Sequence, residues 1–104
     1  MVHPDGTPWF AMGPRNTVGK RLTTGEFKEF GLGQGVLDPI GLTVDAARDV
    51  WVAAQQHIVV LGAAGEIKDT IPVPNGRLFG ATSAPTGEVW FTAETSSQVL
   101  RASR

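Results

Sequence analysis

One phrase occurs three times in this chain of 104 residues: Pro4-Asp5-Gly6-Thr7-Pro8-Trp9-Phe10, Ala46-Ala47-Arg48-Asp49-Val50-Trp51-Val52 and Pro85-Thr86-Gly87-Glu88-Val89-Trp90-Phe91. It accounts for all three tryptophans, which are spaced by 42 and then 39 residues. Self-similarity at a period near forty belongs to repeat architectures, in which one supersecondary unit is stacked on copies of itself. The repetition also settles a local ambiguity. The stretch from Val44 to Leu61 lacks Gly and Pro and is rich in Ala and Gln, so taken alone it reads as a helix. In the sister copies, however, the place of Ala46 is held by Pro4 and Pro85, and that of Arg48 by Gly6 and Gly87. That is turn chemistry, and it excludes a helix interior.

Aligned on tryptophan, each copy resolves into four short extended segments separated by Gly, Pro, Asn or Asp. Segment a is Ile40 to Val44 and again Phe79 to Ser83. Segment b holds the tryptophan, over Thr7 to Met12, Asp49 to Ala54 and Glu88 to Ala93. Segment c starts at Val18, Ile58 and Val99, and segment d covers Phe27 to Leu32 and Ile67 to Val73. Four strands in about forty residues form one blade of a β-propeller. The expected fold is therefore all-β, a partial β-propeller of about two and a half four-stranded blades. The blade repeats run approximately over 1–39, 40–77 and 78–104.

Strand a, small and Gly-containing, suits the crowded inner wall. Strand d carries Lys28, Glu29, Lys68, Asp69 and Pro72, which protect an exposed edge from foreign strands. The wide tryptophan rings are expected to fill the gaps between neighbouring blades. By alignment Met1 falls at the place of Thr43 and Thr82, and Arg104 opposite Thr23, so the sector is open at both sides. Blades hide their faces against neighbours, so the expected partners are the remaining blades of a parent propeller, or further copies of the chain.

Charge is bland, with a formal net of -1 and no basic stripe, which gives no electrostatic basis for nucleic acid as a partner. No apolar run approaches the roughly 20 residues of a membrane helix, and the polar start is not that of a secretory signal. The expectation is a soluble chain without a membrane partner, whose compartment the sequence does not specify. With no cysteine, thiolate metal sites and cysteine nucleophiles are excluded. The run Gly31-Leu32-Gly33-Gln34-Gly35 lacks nucleotide-loop spacing and leads into Asp38-Pro39 and a strand, not a helix.

The pattern Pro-Asp-Gly, Trp-Phe, Val18-Gly19-Lys20, then Thr24-Gly25-Glu26-Phe27-Lys28-Glu29-Phe30 resembles the repeats of streptogramin B lyases of the virginiamycin B lyase type. Val59-Val60-Leu61, Gly65-Glu66-Ile67 and Thr70-Ile71-Pro72-Val73-Pro74 are also similar to SMP-30/gluconolactonase and NHL repeats. The lyase resemblance implies a seven-bladed propeller that opens a cyclic depsipeptide antibiotic by elimination across its ester bond, with Mg²⁺ held by carboxylates and a histidine as base. It places the histidine just before the Gly of strand a and a glutamate just after the Trp-Phe-Thr of strand b. Those positions are Ile40 and Phe79, and Met12, Ala54 and Ala93. A hard cation needs oxygen ligands and proton abstraction needs a base, and these side chains supply neither. The expectation is a lyase-like segment inactive as this chain. A non-catalytic binding or scaffold propeller, and a segment of a lactonase that would take Ca²⁺, stand as alternatives.

Four residues are candidates for binding a small molecule on the rim formed by the b-to-c turns. Arg15 and Asn16 offer contacts to an anionic or amide-bearing ligand, although Gly13-Pro14-Arg15-Asn16 reads first as a turn. His57 follows Gln55 and Gln56 in the matching turn without a metal partner in sequence. Glu94 stands one residue past the lyase carboxylate position, which in a strand turns it to the other face. His3, before Pro4, is expected at the surface.

Overall fold

The computed structural model describes residues 1–84, 88–93 and 98–102, with the side chains at 74–77, 79, 93, 98, 100 and 102 outside the description. Eight strands follow in order: β1 Trp9–Met12, β2 Thr17–Arg21, β3 Phe27–Gly31, β4 Leu37–Val44, β5 Val50–Leu61, β6 Ile67–Ser83, β7 Val89–Ala93 and β8 Gln98–Ala102. A single 3-10 turn, Gly13–Arg15, joins β1 to β2. The chain is all-β, and β5 occupies the very stretch whose composition imitates a helix. Strand order is β1-β2-β3 in one sheet and β4-β5-β6-β7-β8 in the other, with every pairing antiparallel. Val2 bridges Pro8, the beginning of a fourth strand beside β1.

Two strands are longer than the expected segments, and both contain a change of partner. In β5, residues up to Gln55 pair with β4, whereas His57 to Leu61 pair with β6. Gln56 has a left-handed φ of 62°. The buried clusters show what this does. Val50, Val52 and Ala54 share one cluster with Val59 and Leu61, while Trp51 and Ala53 share the other with Ile58 and Val60. In a straight strand alternate residues share a face, so 52 would go with 58 and 60. The observed flip of parity is that of a chain doubling back at Gln55-Gln56, which makes β5 a b-to-c hairpin.

Similarly, Ile67 to Pro72 of β6 pair with β5, and Leu78 to Ser83 pair with β7. Segment d of the middle copy thus runs into segment a of the next without a break. Proline's fixed φ is compatible with extended backbone, so Pro72 and Pro74 let the chain continue while removing donors from the ladder.

The core is two apolar layers. Trp9, Val18, Leu32 and Val36 pack against Val50, Val52, Ala54, Val59 and Leu61. Trp51, Ala53, Ile58 and Val60 pack against Leu78, Val89 and Phe91. The hairpin of β5 is therefore covered on both faces, which is why its sequence is almost continuously apolar. Trp9 and Trp51, each 1% exposed, fill these layers as expected. Trp90 is 36% exposed.

The two buried indoles are not equivalent. Trp51 Nε1 donates to Asp45 Oδ2 at 2.7 Å, whereas Trp9 Nε1 is buried and, among the described residues, has no hydrogen-bond partner. In the alignment the place of Asp45 belongs to His3. The surface position expected for His3 is wrong: it is 2% exposed, and its Nε2 lies 2.9 Å from the Arg48 carbonyl oxygen. The ring also lies 3.2 Å from the Asp5 backbone N, which donates to Nδ1. The contact with Arg48 ties the start of the chain to the turn between β4 and β5, a partner 45 residues away in sequence.

Candidate functional site

The first two turns between segments b and c lie along one edge, and a continuous set of contacts joins them. The Gly13–Arg15 turn ends at Asn16, whose backbone N donates to the Gly13 carbonyl at 3.1 Å. Asn16 has a φ of 54°, a left-handed conformation that Asn adopts more readily than most residues. Its Oδ1 accepts from the Asp38 backbone N at 2.9 Å. Gly13 sits so close to Asp38 that an added Cβ would meet Asp38 Oδ1. Leu37, beside Asp38, pairs with Gln55 at the tip of β5, and Gln55 in turn pairs with Arg77. The rim therefore runs from Asn16 through Leu37 and Asp38 to the Gln55-Gln56-His57 turn.

Arg15, Asn16 and His57 share this rim but do not converge. Arg15 reaches sideways, its Nε donating to Glu29 Oε2 at 2.7 Å, and Thr17 Oγ1 donates to the same oxygen at 2.9 Å. His57, half-buried, has Nδ1 3.4 Å from the Gln55 carbonyl, and no hydrogen bond among the described residues links it to Arg15 or Asn16. Glu94 lies outside the described residues. Arg15 and Asn16 thus use polar groups to fasten the turn to β3 and β4. Glu29 and Asp38 are the partners that a reading by residue type missed. The one available signal was the Asp38-Pro39 dipeptide, a turn former standing where segment a begins.

Electrostatics of the rim are local. The Glu29 carboxyl is held below the usual carboxylate range by its hydrogen bonds from Arg15 and Thr17, and the Arg15 guanidinium is raised in return. A depressed folded-state pKa means that the stabilisation is present above the ordinary value and is lost as pH falls through the folded value. Arg15→Met should therefore move the Glu29 titration upward, toward the ordinary carboxylate value, in an NMR-monitored pH series. An unchanged Glu29 titration would mean that Arg15 does not hold it.

Of the five positions to which the lyase resemblance assigns catalysis, Phe79 and Ala93 have side chains outside the description, and the other three adjoin this rim. Met12 ends β1 immediately before the Gly13 turn, Ile40 lies in β4 two residues from Asp38, and Ala54 is buried in β5 next to Gln55. Among the described residues no three of His, Asp and Glu gather as a metal site would require. Among the described residues, the side chains of Met12, Ile40 and Ala54 offer a hard cation no oxygen ligand. No helix among the described residues is long and apolar enough to cross a membrane.

No protein-family model and no curated protein matches the sequence. Solved structures do match. The chain superposes on a catalytically inactive variant of virginiamycin B lyase from Staphylococcus aureus, crystallised with quinupristin, with a TM-score of 0.88 and 23% identity over 96% of this chain. A streptogramin B lyase structure gives 0.80 at 23% identity over 99% of the chain. A protein from Bacteroides caccae gives 0.67 at 17% identity over 93%. The chain spans only 35% to 39% of the length of these proteins. In fold, the chain is a sector of a β-propeller similar to those of virginiamycin B and streptogramin B lyases.

Proposed function

We propose that this chain is a non-catalytic sector of a lyase-like propeller: it builds wall and rim and supplies neither the base nor the metal ligands of the lyase reaction. One observation carries the reading. Elimination across an ester needs a base to take the proton, and a hard metal ion needs oxygen ligands. Where the lyase resemblance puts these groups, the rim has Met12, Ile40 and Ala54. Of the polar residues on and beside the rim, Arg15, Asn16 and Glu29 hold neighbouring strands together. The sector's contribution is then shape, a rigid floor from which the turns project.

The test uses quinupristin, the compound present in the similar Staphylococcus aureus structure. Purified chain, shown by circular dichroism to be folded and rich in strand, is incubated with quinupristin and Mg²⁺, and ring opening is followed by mass spectrometry. The expected result is no opening above the buffer rate. Opening that scales with protein concentration and is lost on adding chelator would overturn the proposal.

A further inference from the structure

Within the chain, successive repeats join by one rule. Each repeat presents a socket made by its tryptophan and the β-branched first residue of strand c: Trp9 with Val18, then Trp51 with Ile58, then Trp90 with Val99. Each repeat also presents a knob on the opposite face of strand b, at the residue after the tryptophan: Phe10, then Val52, then Phe91. Two sockets are filled. Val52 packs in the cluster of Trp9 and Val18, and Phe91 packs in that of Trp51 and Ile58, its ring centroid 6.3 Å from that of Trp51.

One socket and one knob are left over, at opposite ends of the sector. Trp90 and Val99, 36% and 63% exposed, line a groove of about 310 Å³ with Gly80, Thr82 and Thr92. Arg101 lies over the Trp90 ring at 5.8 Å. At the other end Phe10 and Phe27, 46% and 51% exposed, stand with ring centroids 6.3 Å apart. The groove is the third instance of a surface that twice accepts the residue following a tryptophan, and Phe10 is that residue in the first repeat. Both halves of the joint are thus present and uncovered on one molecule.

Resting on the sector reading above, we propose that the chain associates head to tail with a second copy, the Phe10-Phe27 face of one seated on the Trp90-Val99 groove of the other. The contact continues the internal repeat from one molecule into the next. It is heterologous, so it propagates until the rotation closes a ring.

Molar mass by light scattering tests it. The wild-type chain should run above the 11.0 kDa of one copy, increasingly so with concentration. Phe10→Glu and Trp90→Glu each spoil one half of the joint at an exposed position, so each variant alone should be monomeric. Mixed, they retain one intact knob and one intact socket and should form a species of twice 11.0 kDa and nothing larger. Val99→Glu should behave as Trp90→Glu does, and circular dichroism confirms that all variants are folded.

A wild-type chain that stays at the mass of one copy at high micromolar concentration overturns the proposal and leaves these faces to another occupant, such as further blades of a longer polypeptide. Association that persists in Phe10→Glu alone also overturns it, because the joint would then be groove to groove. Quinupristin opening measured on the same samples reports separately on the sector reading. A monomer without turnover sinks only the association, and an oligomer with turnover sinks only the reading.

Discussion

Trp51→Ala should cost the fold about 3–5 kcal/mol, the range for truncating a large aromatic in a core. His57→Ala, on a half-buried turn, should stay within about 0.5 kcal/mol. Trp51 is the central ring of the layer between the β5 hairpin and β7, packed with Val60, Leu78, Val89 and Phe91. Its removal opens a cavity against three segments at once and leaves Asp45 Oδ2 without the indole donor that now lies 2.7 Å away. A margin of about 3 kcal/mol between the two variants corresponds to more than about 10 °C in Tm for a domain of this size. Far-UV circular dichroism of both variants, at one protein concentration, measures it. Equal melting points would show that the second layer contributes little, and that the first, around Trp9, holds the chain alone.

The strands were legible in the sequence because the same phrase is written three times, and copies constrain one another where a single copy is ambiguous. Ala46 and Arg48 look helical until Pro4 and Gly6 stand beside them. Arg48 then has a φ of 69°, taking the left-handed turn position that glycine holds in the sister copy. What repetition could not show was contact between side chains far apart in sequence. His3 was assigned to the surface because no neighbour in sequence could satisfy it, yet Arg48 does so across the first layer. The different treatment of Trp9 and Trp51 was hidden for the same reason, since it depends on whether an Asp or a His precedes the tryptophan by six residues.

Residue type and turn position single out exposed polar groups on the rim but not what they bind. Glu29, 14 residues after Arg15, and Asp38, 22 after Asn16, become neighbours only when three strands have paired. Conversely, the apolar substitutions at Met12, Ile40 and Ala54 were readable at once, because a missing base or ligand is a property of composition. The open faces were legible as a consequence of the repeat. Their residues, Phe10 on one side and Trp90 on the other, follow from which strand face each repeat turns toward its successor.

Gly25 and Gly65 occupy equivalent places in two copies of the turn after strand c, and substituting them should have unequal effects. Both have left-handed φ values, 93° and 92°, so an L side chain at either place costs about 1–2 kcal/mol of backbone strain. Around Gly25 an added Cβ meets nothing within 4 Å, whereas at Gly65 it would run into the ring of Phe30. Phe30 cannot retreat freely, because it is stacked on Trp9 at 5.7 Å between centroids. The same turn is gripped by Lys20, whose Nζ donates to the Ala63 carbonyl at 2.6 Å. Overpacking adds about 1–3 kcal/mol. Gly65→Ala is therefore expected to destabilise by about 2–5 kcal/mol, the sum of the two costs, and Gly25→Ala by the strain alone. Denaturant midpoints of the two variants give the comparison. A double substitution separates the causes: in a Phe30→Ala background the ring is gone, so the further cost of Gly65→Ala should fall to that of Gly25→Ala. If the cost stays high without the ring, the turn itself is the strained element and the joint between the first sheet and the β5 hairpin does not depend on how Phe30 packs.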